Sequence, residues 1–231
     1  MDLTVLVFLS SGLFLGWSLG SNDAANIFGT AVGSRMVKFT TAAIICAVFV
    51  VLGAVFGGAG AAHGLGKLGA VNAIAGSFMV ALSAAVTVFG MTKAGLPVST
   101  TQAVVGGIIG WNLFGGFLTD MATLSKIVAT WVAAPILGAI FAAILYKATA
   151  ALLRWAKLHM VWMDSLTRAG LVLAGAFGAY SLGANNIGNV MGVFESTSPY
   201  EEITLEGGLI TQTGVQQLFQ LAGLANAVGV F

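Results

Sequence analysis

Asn22, Asp23 and Asn26 interrupt a stretch that is otherwise largely apolar from Leu3 onward. Asn22 and Asn26 are four residues apart, so on a helix they share one face, and Asp23 lies beside them. A carboxylate among apolar residues is costly unless it is paired or bound to a cation, and no lysine or arginine precedes Arg35. Oxygen ligands from Asp and Asn suit a small hard cation. Gly20 is expected to let the helix break and expose backbone carbonyls to the same ion. Hydrogen bonding between helices is the plainer use of the asparagines; their cost in an apolar setting favours the cation site.

A second polar group is Gly95-Leu-Pro-Val-Ser-Thr-Thr-Gln102, followed by Gly106, Gly107 and Gly110. Pro97 suits the start of a helix, where its missing N–H has no intrahelical acceptor. Ser99, Thr100 and Thr101 then offer three hydroxyls beside the free N–H groups of a helix N-terminus, which receives an anion without a formal positive charge. An ordinary N-cap uses the same residue types. An oxyanion bound only by hydroxyls and amides keeps its charge uncompensated, and a cation at Asp23 would supply the compensation. Each ligand would then favour the other, which is the thermodynamic requirement for coupled transport.

These residues must be positioned by a membrane protein. Charged residues make up 7% of the chain and hydrophobic ones 58%, and the mean hydropathy is +0.98. A soluble domain usually carries about a quarter charged residues. Charge-free windows run over 3–22, 39–66, 68–92, 94–119, 127–146, 169–194 and 207–231, and each meets the roughly 20 residues needed to cross a bilayer as a helix. The first window begins at Asp2 without a basic flank, unlike a signal peptide. Continuous apolarity excludes the alternation of a membrane β-barrel. The net charge of +1 gives no reason to expect nucleic acid. Cys46, the single cysteine, reads as a small core residue.

With the N-terminus outside, Arg35, Lys38, Lys93, Lys147, Arg154, Lys157 and Arg168 fall inside, whereas Lys67 and Lys126 fall outside. That count needs 94–119 to make a net crossing. A self-comparison then aligns Gly16–Gly29 with Ala179–Gly192: Ser18, Leu19, Gly20, Asn22, Asn26 and Gly29 recur as Ser181, Leu182, Gly183, Asn185, Asn189 and Gly192. The copies lie five passes apart, so the second enters from the opposite face, as in an inverted-repeat transporter with a midplane site. The expected fold is therefore all-α and membrane-embedded, with broken or hairpin helices carrying the site. Residues 1–158 form the first repeat, with about five passes including a discontinuous segment over 94–119, and 159–231 begin the second.

The motifs resemble those of the inorganic phosphate transporter family, which has sodium- and proton-coupled members. Its hallmark Gly-Ala-Asn-Asp-x-x-Asn reads Gly20-Ser-Asn-Asp-Ala-Ala-Asn26 and Gly183-Ala-Asn-Asn-Ile-Gly-Asn189 here, and its Pro-Val-Ser-Thr-Thr-His reads Pro97-Val-Ser-Thr-Thr-Gln102. The resemblance implies symport of inorganic phosphate with sodium by alternating access, without organic cofactor or enzymatic chemistry. It implies that Asp23, Ser99, Thr100 and Thr101 contact phosphate or the coupling ion, with Asn22, Asn26, Asn185 and Asn189 around them. Asn186 stands where the family has a second aspartate and is placed with the phosphate ligands; Gln102 stands in place of the histidine and joins the sodium ligands. Loss of that histidine leans against proton coupling. No second Pro-Val-Ser-Thr-Thr-like segment follows, so the remainder of the second repeat is expected as a partner, beside lipid and a second copy in a homodimer. The expected location is the plasma (inner) membrane, with several passes.

Transport of sulfate or another oxyanion, coupled to protons, and a passive anion channel remain open. His63 and His159 read as interfacial residues, and Gln212, Gln216, Gln217 and Gln220 form a polar patch near the start of the last window. No nucleophile–base pair or metal-hydrolase spacing occurs in the windows.

Overall fold

A computed structural model describes residues 3–58, 68, 74–156, 159–197, 203–204, 211–212 and 214–231. His63, Lys67, Lys157, Glu201, Glu202 and Glu206 lie outside the described residues. Among the described residues each of the seven charge-free windows carries one helix: α1 (Leu3–Gly33), α2 (Phe39–Gly57), α3 (Ile74–Lys93), α4 (Thr100–Gly115), α5 (Met121–Ala156), α6 (Met160–Met191) and α7 (Gly214–Gly229). A 3-10 turn (Gly192–Thr197) follows α6, and the two-residue strands β1 (Ile203–Thr204) and β2 (Thr211–Gln212) pair antiparallel before α7.

Three helices among the described residues, α2, α3 and α5, are long and apolar enough to cross a membrane. None of the 36 residues of α5 is buried. Leu124, Ile127 and Trp131 touch the core, whereas residues 132–149 are exposed throughout. A helix apolar all round is stable only against lipid or further protein, and the fold is that of an all-α integral membrane protein. α4 is short because residues 96–99 are spent on an extended lead-in. It ends where Gly116 turns left-handed (φ 70°) and Phe117 N–H reaches back to the Asn112 carbonyl at 2.8 Å.

The two motif copies sit on α1 and α6, and these helices run antiparallel. Gly12 faces Met191 and Phe194, and Ile27 faces Gly178, while Asp23 meets Asn186 between them. α2 runs parallel to α6, since Gly53, Gly57 and Gly58 face Tyr180, Ala184 and Ile187 in turn. α1 likewise runs parallel to α7: Gly16 faces Ala222 and Ala225, Gly20 faces Asn226, and Val230 reaches the cavity wall beside Phe28.

At both parallel crossings the backbones touch. A Cβ at Gly20 would strike the Asn226 carbonyl oxygen, and one at Gly229 the Trp17 carbonyl oxygen. At the other crossing a Cβ at Gly53 would strike the Tyr180 carbonyl oxygen, and one at Gly183 the Val50 carbonyl oxygen. Trp17 and Gly20 correspond to Tyr180 and Gly183 in the repeat. The same clasp therefore occurs twice, and it extends the correspondence to Asn226/Gly229 and Val50/Gly53. Small residues at membrane helix crossings allow this approach. It also corrects the expectation at Gly20: α1 passes through that residue unbroken, and the glycine is needed because the α7 backbone occupies the space of a side chain.

The main core lies where α1, α3, α4, α6 and α7 meet, with Leu15, Leu19, Val80, Ile108, Phe194 and Phe219 fully buried. A second cluster between α1, α2 and α6 contains Phe28, Cys46, Val50 and Ala179, so Cys46 is the core residue expected. His159 caps α6, its Nδ1 accepting from Val161 N–H at 3.4 Å.

Candidate functional site

Asp23 lies near the middle of α1, and Asn22 holds one side of it. The Asn22 amide donates to Asp23 Oδ1 at 2.7 Å and to the Val98 carbonyl at 2.9 Å, and Asn22 Oδ1 accepts from Thr92 Oγ1 at 3.2 Å. Three elements are thereby tied to one side chain: α1, the end of α3 and the lead-in to α4. On the other side Asn186 Nδ2 donates to Asp23 Oδ2 at 2.9 Å. Asn189 Nδ2 reaches Asn186 Oδ1 at 3.2 Å and Thr101 Oγ1 at 2.8 Å. The chain of hydrogen bonds from Thr92 to Thr101 passes through Asn22, Asp23, Asn186 and Asn189.

Those contacts surround a cavity of about 330 Å³ lined by Asp23, Asn26, Asn186 and the segment 97–101. Ser99 is the N-cap of α4, with extended backbone (φ −85°, ψ 116°) and its hydroxyl accepting from Gln102 N–H at 3.4 Å. The first main-chain bond of the helix runs from Ala103 N–H to the Ser99 carbonyl at 3.1 Å. The amides of Thr100 and Thr101 precede it, so the positive end of the helix dipole opens on the cavity. Thr100 is 4% exposed, and its Oγ1 is buried without a hydrogen-bond partner among the described residues. A buried hydroxyl left unpaired costs about 1–3 kcal/mol.

The Asp23 carboxylate forms no ion pair among the described residues. Its two amide partners orient it without neutralising it. A monovalent cation coordinated by oxygen fits this donor set, and an oxyanion fits the N-terminus of α4 opposite.

The structure thus brings together Asp23, Asn26, Ser99, Thr100, Thr101 and Asn186 as cavity lining, with Asn22 and Asn189 bonded directly behind. It does not bring in the other two candidates. Asn185 is exposed and outside the lining, because neighbouring helical residues point about 100° apart and Asn186 takes the inward direction. Gln102 lines a separate, mainly apolar groove between α3 and α4, with Met79, Val80 and Trp111. Thr92 and the Val98 carbonyl escaped sequence reading. Thr92 closes a charge-free window like many other threonines, and no spacing links it to Asn22 seventy residues earlier.

Residues 19–230 match the phosphate transporter family. A Thermococcus kodakarensis protein described as "Putative phosphate permease" is 34% identical over 158 residues, which cover 64% of this chain and 39% of that protein. A Mycobacterium bovis protein of the same description is 30% identical over 154 residues, 58% of this chain and 28% of its own. A Chlamydia muridarum protein is 34% identical over 160 residues, 59% of this chain and 34% of its own. The chain thus spans about two fifths or less of the length of these relatives. A solved structure of a sodium-dependent phosphate transporter shares the fold, with a TM-score of 0.75 at 21% identity over 99% of this chain and 75% of that one. By the family match over nearly its whole length, the chain belongs to the phosphate transporter family.

Proposed function

We propose that the intact protein is a symporter that carries inorganic phosphate across the membrane together with sodium. One observation carries the reading: Asp23, a carboxylate with no ion pair among the described residues, shares a 330 Å³ cavity with the N-terminus of α4. Phosphate is bound by Ser99, Thr100 and Thr101 with the free amides of the first turn, and Asn186 borders it. Asp23 has two roles. Its charge holds sodium, with Asn22, Asn26 and Asn189 in or around the coordination, and its oxygens accept a hydrogen bond from the hydroxyl that phosphate still carries near neutral pH. Sulfate has no such proton, so the acceptor favours phosphate.

Coupling follows from electrostatics. Without the cation, phosphate would sit near a carboxylate in a low-dielectric site that no positive side chain lines among the described residues. With it, the like charges are bridged, and each ligand raises the affinity for the other by the same factor. The word "sodium-dependent" in the name of the structural neighbour supports the choice of ion. Alternating access is supported by the antiparallel course of α1 and α6, which presents the two motif copies to opposite faces. In this reading residues 1–158 and 159–231 belong to inverted halves, and the basic turn after α1 faces the cytoplasm.

The test is uptake of radiolabelled phosphate by the intact protein in proteoliposomes under an imposed sodium gradient, beside Asp23→Asn. Saturable, sodium-dependent uptake that the variant lowers at least about 100-fold is expected, because an uncompensated buried charge costs about 3–5 kcal/mol. Uptake driven equally by a proton gradient would reject sodium. Preferential movement of sulfate would reject phosphate, and flux that does not saturate would reject a carrier.

A further inference from the structure

The seam between α1 and α2 holds a cavity of about 400 Å³ that the transport site does not use. Ala25, Gly29 and Gly33, spaced four apart, form a stripe along its α1 wall, and Ala42, Ala43 and Cys46 form the α2 wall. This is a different face of α1 from the one that carries Asp23 and Asn26. The glycines leave open space: a Cβ at Gly29 or at Gly33 would meet nothing within 4 Å. Among the described residues no charged one lines the cavity, and the one hydroxyl there is that of Ser21. Such a lining does not hold water, which needs two to four polar partners. In a membrane the surrounding solvent is hydrocarbon.

One end of the cavity is closed by the turn between the helices, since Gly33 and Phe39 line it on either side of residues 34–38. Two basic residues, Arg35 and Lys38, are exposed in that turn, and neither forms an ion pair among the described residues. The turn is held in shape by Val37 N–H bonding the Ala31 carbonyl at 3.0 Å and by Arg35 in a left-handed conformation (φ 59°). An apolar slot ending at two unpaired cations matches a molecule with a long hydrocarbon chain and an anionic head. Basic clusters at the ends of membrane helices bind anionic lipid headgroups in this way.

We infer that the α1–α2 seam is a binding site for one anionic phospholipid, its acyl chain lying along the Ala25–Gly29–Gly33 stripe and its phosphate held at Arg35 and Lys38. Val230 at the end of α7 closes the same cavity. The lipid would therefore touch the helix that holds Asp23 together with both helices that flank it on this side.

The experiment reconstitutes the intact protein with equal phosphatidylglycerol and phosphatidylcholine and counts retained lipids by native mass spectrometry. One phosphatidylglycerol retained in preference to phosphatidylcholine is expected. Gly29→Leu, which fills the slot, should lose the retained lipid, whereas Gly138→Leu on α5, where a Cβ also meets nothing, should keep it. The pair Arg35→Asn with Lys38→Gln leaves the slot open, and asparagine tolerates the left-handed turn. It should retain lipid but lower the anionic preference by about fivefold for each charge removed. Undiminished retention in Gly29→Leu, or equal retention of the two lipids by the unaltered protein, would overturn the assignment.

Discussion

Asn186 Nδ2 donates to Asp23 Oδ2 at 2.9 Å, and the two residues occupy the same place in the two copies of the motif. The two copies of the motif thus meet at this bond, with a carboxylate on one side and an amide on the other. The substitution of amide for acid lets the two side chains bond directly, where two carboxylates would repel.

Asn186→Asp therefore tests the arrangement. It replaces a donor to a carboxylate by a second acid and removes a bond to a charged group worth about 1.5–3 kcal/mol. Unfolding temperature in sodium-free buffer should fall, and added sodium should raise it more than in the unaltered protein, because a cation between two acids relieves more repulsion. Thermal unfolding with and without sodium reads both quantities. An equal sodium response in the two proteins would place the cation away from this pair.

Thr100→Val separates function from folding. The two side chains have nearly the same shape, and the hydroxyl removed is buried without a partner. Stability should be unchanged or rise by up to about 1–3 kcal/mol, while phosphate uptake falls. Denaturant unfolding and uptake measured on the same preparation give opposite directions if the hydroxyl serves the ligand. A loss of stability in step with uptake would make it structural.

Thr92→Val probes the residue behind the site. Its single hydroxyl proton is shared between Asn22 Oδ1 at 3.2 Å and the Val88 carbonyl at 2.8 Å within its own helix. The substitution frees the Asn22 side chain that ties Val98 to Asp23. A cost of about 0.5–1.5 kcal/mol in stability is expected, together with a raised KM for phosphate as the segment leading into α4 loosens. An unchanged KM would confine Thr92 to helix packing.

Much of the site was legible because intramembrane polarity is expensive. Asp23, Asn26, Ser99, Thr100 and Thr101 stand out in the sequence by chemistry alone and Asn186 by the resemblance, and all six line one cavity. Helix boundaries were less legible. The window over 3–22 stops at Asp23, yet α1 continues to Gly33, because amides from Asn22 and Asn186 let the helix carry an acid through its middle. Asn185 enters the sequence reading as the counterpart of Asn22 and Gln102 as the residue in place of the family's histidine, whereas side-chain direction turns by about 100° per helical residue. Gly20 departs from expectation for a different reason. A glycine that breaks a helix and one that admits a neighbouring backbone are identical in sequence, and only the position of Asn226 tells them apart.

The glycine clasps give the last prediction. At Gly20, Gly53, Gly183 and Gly229 the obstacle to a side chain is the backbone of another helix, which cannot move without shifting the whole element. Alanine at Gly20 or Gly183 should therefore destabilise by about 1–3 kcal/mol, against the gain of about 1 kcal/mol that Gly→Ala brings inside a helix without obstruction. Gly138→Ala, in open space on α5, supplies that reference. Gly175 differs in kind, since a Cβ there would strike the ring of Phe28, a side chain. Phe28→Leu should rescue Gly175→Ala, whereas Asn226→Ala should not rescue Gly20→Ala, because the carbonyl that obstructs remains. Denaturant unfolding of these single and double variants separates the two cases. If the clasps are equivalent, Gly20→Ala and Gly183→Ala cost the same within the additivity error of about 0.5 kcal/mol, and a larger difference would show that the two crossings are not packed alike.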